Sequence, residues 1–86
     1  MYWDIVEVIP ESNHCLFVRF RDGLSGRVQL RYEDLTGVLE RLQDPDFFRT
    51  VYIDNGAVAW PGDIDLAPDA MYAEVKRQHK QRERAS

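Results

Sequence analysis

The adjacent residues His14 and Cys15 have the side chains that nucleophilic catalysis uses. A thiolate nucleophile needs a base within hydrogen-bond reach, roughly 3 Å away. The pair opens a segment with the alternation of a β-strand, and neighbours on a strand point to opposite faces. We therefore expect Cys15 to be a packed thiol and His14 to lie at the rim of a sheet. The sequence predicts no catalytic residues.

Acidic residues near the C-terminus resemble part of a calcium-binding loop that starts at Asp63 and continues through Asp65. Such a loop needs a glycine at position six and a closing glutamate at position twelve. Glu74 is at position twelve, but Pro68 replaces the glycine. The sequence also has only two histidines and one cysteine, too few for the Cys and His ligands of a typical structural zinc site. We interpret the segment as a surface loop whose carboxylates cap the last helix, and we expect neither a metal nor a cofactor.

Five residues are the candidates for binding: Phe17, Arg19, Arg21, Arg27 and Tyr52. Strand alternation places the first three on one face, and Arg27 on the matching face of the next strand. Arginines interleaved with aromatic rings on an open sheet can hold single-stranded nucleic acid or an acidic peptide. The alternative is an ordinary solvated face on which arginine stems cover apolar rings.

The distribution of charge favours the solvated face over a nucleic-acid site. Residues 1–73 contain six arginines and thirteen acidic residues, a net charge of −7, whereas residues 74–86 carry +3. Phosphate binding depends on lysine and arginine, so the acidic body should repel polyanions. The basic C-terminus is either solvated or a short anchor for an acidic partner or nucleic acid.

The elements that would position these residues begin with three strands, predicted at Trp3–Ile9, His14–Arg21 and Leu24–Leu30. Asp22 and Gly23 predict a two-residue hairpin turn, which requires a positive φ at both central positions. The simplest arrangement is an antiparallel meander.

The apolar period then changes to that of a helix. Leu35, Val38, Leu39 and Leu42 have the spacing of one helical stripe, although Gly37 weakens its middle. Further along, the sequence predicts a helical turn at Asp44-Pro45, two strands at Val51–Asp54 and Ala57–Trp60 around an Asn55-Gly56 hairpin turn, and a last helix from Pro68.

These elements predict an α+β fold, with one antiparallel sheet of about five strands in the order βββαββα and helices packed on one face. Residues 1–75 form the single domain, and residues 76–86 are a charged, solvated tail. The predicted core comprises Val6, Val8, Leu16, Val18, Phe20, Val28, Leu30, Leu35, Leu39, Leu42, Ile53, Val58, Trp60 and Met71.

The composition suggests a soluble protein of a reducing compartment, and we expect the cytoplasm. Eighty-six residues suffice for one domain, and a single cysteine permits no internal disulfide. The first ten residues lack a basic region and include Asp4 and Glu7, which argues against a signal peptide. No apolar run approaches the ~18 residues of a membrane span.

Taken in order, several motifs make the chain resemble a bacterial family, domain of unknown function 2442. They are Trp3-Asp4-Ile5-Val6-Glu7-Val8, Leu16-Phe17-Val18-Arg19-Phe20-Arg21-Asp22-Gly23, Leu42-Gln43-Asp44-Pro45-Asp46-Phe47-Phe48, Val58-Ala59-Trp60-Pro61 and Asp65-Leu66-Ala67-Pro68-Asp69. The resemblance implies an α+β fold and a regulatory or antitoxin-like partner, and it supplies no catalytic residues.

We therefore expect a non-enzymatic interaction module that binds another small protein, in a bacterial regulatory or toxin–antitoxin-like pair. The alternative is weak nucleic-acid binding through the arginine and aromatic sheet face and the basic tail. An enzyme is the least favoured class, because the sequence assembles neither a nucleophile with its base nor a set of metal ligands.

Overall fold

The computed structural model describes residues 1–85, with side chains through residue 80. The chain forms an α+β fold with antiparallel sheets, as the sequence predicts. Its strands are β1 (Ile5–Glu11), β2 (Cys15–Phe20), β3 (Ser25–Gln29), β4 (Tyr52–Asp54), β5 (Ala57–Trp60) and β6 (Ile64–Asp65). Two 3₁₀ segments (Tyr32–Asp34 and Gly37–Gln43) and helix α1 (Pro45–Phe48) connect β3 to β4, and helix α2 (Pro68–Ala85) follows β6.

The strands form two sheets rather than the predicted single sheet. Their orders are β1-β2-β3 and β4-β5-β6, and all neighbouring strands are antiparallel. The sequence analysis missed β6, because two residues are too short to show alternation. The sheets meet where the Ile5 N–H donates to the Gly56 carbonyl over 2.8 Å.

A bulge in β1 changes which of its residues face the core. Ile5 pairs with Phe20 and Glu7 pairs with Arg19, so Val6 is the extra residue between them. Ile5 is consequently buried, and Val6, predicted in the core, is exposed. The prediction for Ile53 is also wrong: it is exposed on β4, an edge strand whose residues all face solvent.

The predicted helix around Leu39 is a 3₁₀ segment instead. Gly37 has a φ of +59°, which ends any helix running on from Leu35. Three residues per turn then bring Leu39 and Leu42 onto one face. Val38 points to solvent and is 80% exposed.

The core lies between the sheets and α2, and Trp60 is its largest buried side chain. The Trp60 indole N–H donates to the carbonyl of Phe48 over 2.8 Å, so the polar atom of this ring is satisfied. Val75 of α2 is fully buried and packs against Gly26 of β3. The sequence analysis placed Leu16, Val18, Phe20 and Val58 in the core correctly but omitted Ile5, Phe48, Ile64 and Val75.

Helix α2 starts at Pro68, as predicted, and continues to Ala85. It therefore extends ten residues beyond Val75, where the sequence analysis placed the end of the domain. The boundary at residue 75 remains a prediction. No helix among the described residues is both long enough and apolar enough to cross a membrane.

Candidate interaction surface

Strand register places nine residues on the face of the first sheet that points away from the core, here called the outer face. Alternation puts Leu16, Val18 and Val28 on the buried side and their strand neighbours on the opposite side. The outer face consists of Glu7, Ile9 and Glu11 on β1, Cys15, Phe17 and Arg19 on β2, and Ser25, Arg27 and Gln29 on β3.

Both arginines of the outer face are paired with carboxylates of β1. The Nε atom of Arg19 lies 3.0 Å from Oε1 of Glu7. Arg27 makes a two-pronged contact with Glu11, through Nε at 2.8 Å and Nη2 at 3.3 Å. These hydrogen bonds, together with the charge of Glu11, raise the pKa of Arg27 above its already high ordinary value. The cationic groups of this face are therefore already neutralised by the protein itself.

An apolar pair lies between these two ion pairs. Ile9 stands opposite Phe17 in the register, and Ile9 is 45% exposed. The guanidinium carbon of Arg27 lies 5.6 Å from the centre of the Phe17 ring, within the range of a cation–π contact. The outer face thus has an apolar centre bordered by neutralised charges.

The structure brings together three of the five predicted binding residues: Phe17, Arg19 and Arg27. Arg21 lies just beyond β2, where its backbone N–H donates to the carbonyl of Asp4. Tyr52 belongs to the second sheet, where it pairs with Ala59 and borders a cleft of about 160 Å³.

Sequence analysis missed Ile9 and the two glutamates that pair with the arginines. Ile9 shares its outward direction with Glu7 and Glu11 because the three residues alternate along β1, opposite in direction to the predicted core residue Val8. The signal was therefore present in the alternation of β1, but the register that sets Glu7 opposite Arg19 and Ile9 opposite Phe17 was not.

The structure places the neighbouring residues His14 and Cys15 in different surroundings. His14 lies in the turn before β2, with a φ of +58°, and not on the strand itself. Its Nε2 atom is 2.7 Å from the carbonyl of Leu42, and its ring packs 5.0 Å from that of Phe48. Burial, followed by the effect of Glu11, raises the pKa of the Cys15 thiol. The thiol is therefore held in its protonated, poorly nucleophilic form.

The acidic loop shows no metal-binding geometry. Across the described side chains, no group of three or more histidine, cysteine or acidic residues is placed to hold an ion. Asp63 lies in the turn between β5 and β6 with a φ of +62°. Asp69 lies in the first turn of α2, where its Oδ1 atom accepts from the N–H of Ala70.

Comparison with protein families adds one assignment. The family model described as protein of unknown function (DUF2442) matches residues 5–77. The chain belongs to the DUF2442 family. The matched DUF2442 range contains both sheets and the first half of α2. No match was found among curated proteins or among solved structures.

Proposed function

We propose that this DUF2442 chain is a non-enzymatic interaction module of the cytoplasm that binds another small protein through its outer face. In this proposal the two proteins form a bacterial regulatory or toxin–antitoxin-like pair. The observation that carries the proposal is an apolar pair, the exposed Ile9 and the half-buried Phe17, between the ion pairs Arg19–Glu7 and Arg27–Glu11.

This arrangement has the layout of a protein-binding surface. Interfaces between proteins have an apolar centre and a polar rim, and a few residues near the centre contribute most of the binding energy. Ile9 and Phe17 would be these central residues. Ile9 is 45% exposed in the free chain, so a partner that covers it gains binding free energy from the burial of this apolar side chain.

The same ion pairs weigh against nucleic acid as the ligand. A phosphate approaching Arg27 must displace two contacts from Glu11 and then lies beside that carboxylate. Arg19 presents the same obstacle through Glu7. Nucleic-acid binding through this face and the basic tail is therefore the alternative, and the experiment below distinguishes the two.

The test is capture of partners from nuclease-treated lysate of the native cell on the immobilised full chain. Phe17→Ala and Ile9→Ala should each lower the affinity for a stoichiometric protein partner by roughly 5- to 30-fold, which is equivalent to about 1–2 kcal/mol of binding free energy. Val38→Ala is the matched control, because Val38 is an exposed apolar residue on a different segment. If both outer-face variants capture the partner as well as the unaltered chain does, the proposal is wrong. A bound fraction that disappears with nuclease favours nucleic acid.

A further inference from the structure

Five leucines surround a cavity at the end of β3, and they are Leu30, Leu35, Leu39, Leu42 and Leu66. The cavity has a volume of about 190 Å³, and we call it the leucine cavity. Leu35 and Leu42 are buried, and the other three leucines are half-buried. Neither Ile9 nor Phe17 borders this space, so it is separate from the apolar pair of the outer face.

The leucine cavity lies between connecting segments rather than between strands. Leu30 directly follows β3, Leu66 directly follows β6, and Leu39 and Leu42 belong to the 3₁₀ segment Gly37–Gln43. Three residues per turn bring Leu39 and Leu42 onto one face of this segment, and Val38 points to solvent. The backbone conformation of the connections therefore forms the wall of the cavity.

The backbone polar groups of this wall already have partners within the protein. Four of the five leucines donate their N–H groups to backbone carbonyls over 3.0–3.1 Å: Leu30 to His14, Leu35 to Tyr32, Leu39 to Thr36 and Leu66 to Val58. The carbonyl of Leu35 accepts from Nε2 of Gln43 over 2.7 Å, and the carbonyl of Leu42 lies 2.7 Å from Nε2 of His14. A water molecule in a buried site needs about two to four polar partners, so the leucine cavity favours an apolar occupant over water.

Charged side chains border the cavity at its rim. Arg31 and Asp34 are both exposed, and they carry opposite charges. Arg31 also forms an exposed ion pair with Glu33, with 3.3 Å between Nη1 of Arg31 and Oε1 of Glu33. A rim with both signs of charge gives little electrostatic preference for an anion or a cation. The rim and the wall therefore both favour an uncharged molecule.

We propose that the leucine cavity binds one small, uncharged, apolar molecule of the size of a benzene ring. The size follows from the volume, because an apolar cavity of about 150 Å³ lined by leucine, isoleucine and phenylalanine takes up benzene. The chemistry follows from the wall, where four leucine N–H groups are already used within the protein. Natural sites for small molecules are likewise lined mainly by apolar side chains.

The test is a titration of the full chain with benzene, followed by NMR of the leucine methyl groups. The signals of Leu35, Leu39 and Leu42 should shift saturably, with a dissociation constant of roughly 1 mM or below. Pyrazine has the same ring size but a nitrogen atom at each end, so one nitrogen enters the cavity unpaired whichever end goes in first. Pyrazine should therefore bind roughly 5- to 150-fold more weakly. Benzene should also raise the melting temperature as its concentration increases.

Two variants fill the leucine cavity from different segments. Leu39→Phe places a ring inside it and should weaken benzene binding by at least about 10-fold, and Leu66→Phe should do the same. Val38→Phe is the matched control, because it adds the same ring at a neighbouring residue that is 80% exposed, and it should leave the affinity unchanged. The titration of the unaltered chain decides the matter if neither cavity variant folds.

Four results would overturn the proposal: no saturable shift in the unaltered chain, equal affinity for benzene and pyrazine, a folded Leu39→Phe chain with unchanged affinity, or shifts confined to Ile9 and Phe17. N-acetylphenylalanine amide distinguishes a free molecule from the side chain of a partner protein, because it carries the same ring beside two amide groups. We expect it to bind more weakly than benzene. Tighter binding would make a partner's side chain the occupant and would also overturn the proposal.

Discussion

Gly26→Ala probes the contact on which the docking of α2 depends. A Cβ atom at position 26 would lie 2.7 Å from Cγ1 of Val75 and 3.4 Å from its Cγ2. Carbon atoms of neighbouring side chains prefer about 3.5–4.0 Å, so the two groups must separate by roughly 1 Å. Val75 is fully buried, and its branched side chain has one strongly preferred rotamer in a helix, so α2 itself has to move.

The expected loss of stability follows from two opposing contributions. Inserting a methyl group into a packed core costs about 1–3 kcal/mol. Replacing glycine by alanine lowers the conformational entropy of the unfolded chain, which offsets about 0.4–1 kcal/mol. The net loss should be about 1–2 kcal/mol, or a melting temperature roughly 4–16 °C lower in a domain of this size. Urea unfolding and thermal melts followed by circular dichroism measure both quantities.

Two further variants make the measurement specific to this contact. Ser25→Ala changes the neighbouring residue on the outer face and should alter stability by less than about 0.5 kcal/mol. In Gly26→Ala/Val75→Ala the added methyl group occupies space that Val75 vacates, so the double variant should be more stable than the two single changes predict by addition. A Gly26→Ala chain as stable as the original, or strictly additive changes, would refute the proposed packing of α2 on β3.

Three other predictions test the core and a surface hydrogen bond. Val18→Asp should abolish cooperative thermal unfolding by burying a carboxylate, whereas Arg19→Ala should cost at most about 1 kcal/mol; comparable losses would mean that the faces of β2 are reversed. Trp60→Phe should lower the free energy of unfolding by about 1–3 kcal/mol in urea, because it leaves a buried carbonyl unpaired. Asp22 accepts from the Tyr72 hydroxyl and raises the pKa of Tyr72 to about 12, so Asp22→Asn should return it towards 10 in a spectroscopic titration. Because the folded pKa of Tyr72 is raised, its protonated hydroxyl contributes stability that is complete below pH 10 and is lost as pH rises through about 12. The same bond lowers the pKa of Asp22, so its contribution is also lost at low pH, as that carboxylate becomes protonated.

The two hairpin turns show how far local sequence determines backbone geometry. Asn55 and Gly56 have φ values of +50° and +80°, the two-residue turn predicted for this dipeptide. At the other turn only Gly23 has a positive φ, and the connection contains three residues. The Asp22 side chain accepts from the Leu24 N–H, which favours the longer turn. The three-residue turn at Gly23 therefore depends on the contact between the Asp22 side chain and the Leu24 N–H, which the Asp-Gly dipeptide alone does not specify.

The sequence analysis predicted one sheet instead of two for a related reason. Alternation indicates that a segment is a strand, but it does not indicate which other strand it pairs with. The Ile5–Gly56 contact joins the sheets through a backbone hydrogen bond between residues 51 positions apart in the sequence. Only packing of the complete core places these segments together.

The candidate site shows the same limit most clearly, because the sequence identifies its arginines but not the carboxylates that pair with them. Phe17, Arg19 and Arg27 were identified from alternation within β2 and β3, where no bulge intervenes. Their partners on β1 could not be assigned in the same way, because alternation indicates the face of Glu7 and Glu11 but not which residues of β2 and β3 they approach. With the register known, the arginines become members of ion pairs, and the exposed Ile9 with the half-buried Phe17 between them becomes the distinguishing feature. The register therefore strengthens the expectation drawn from the acidic net charge, that this face is poorly suited to phosphate.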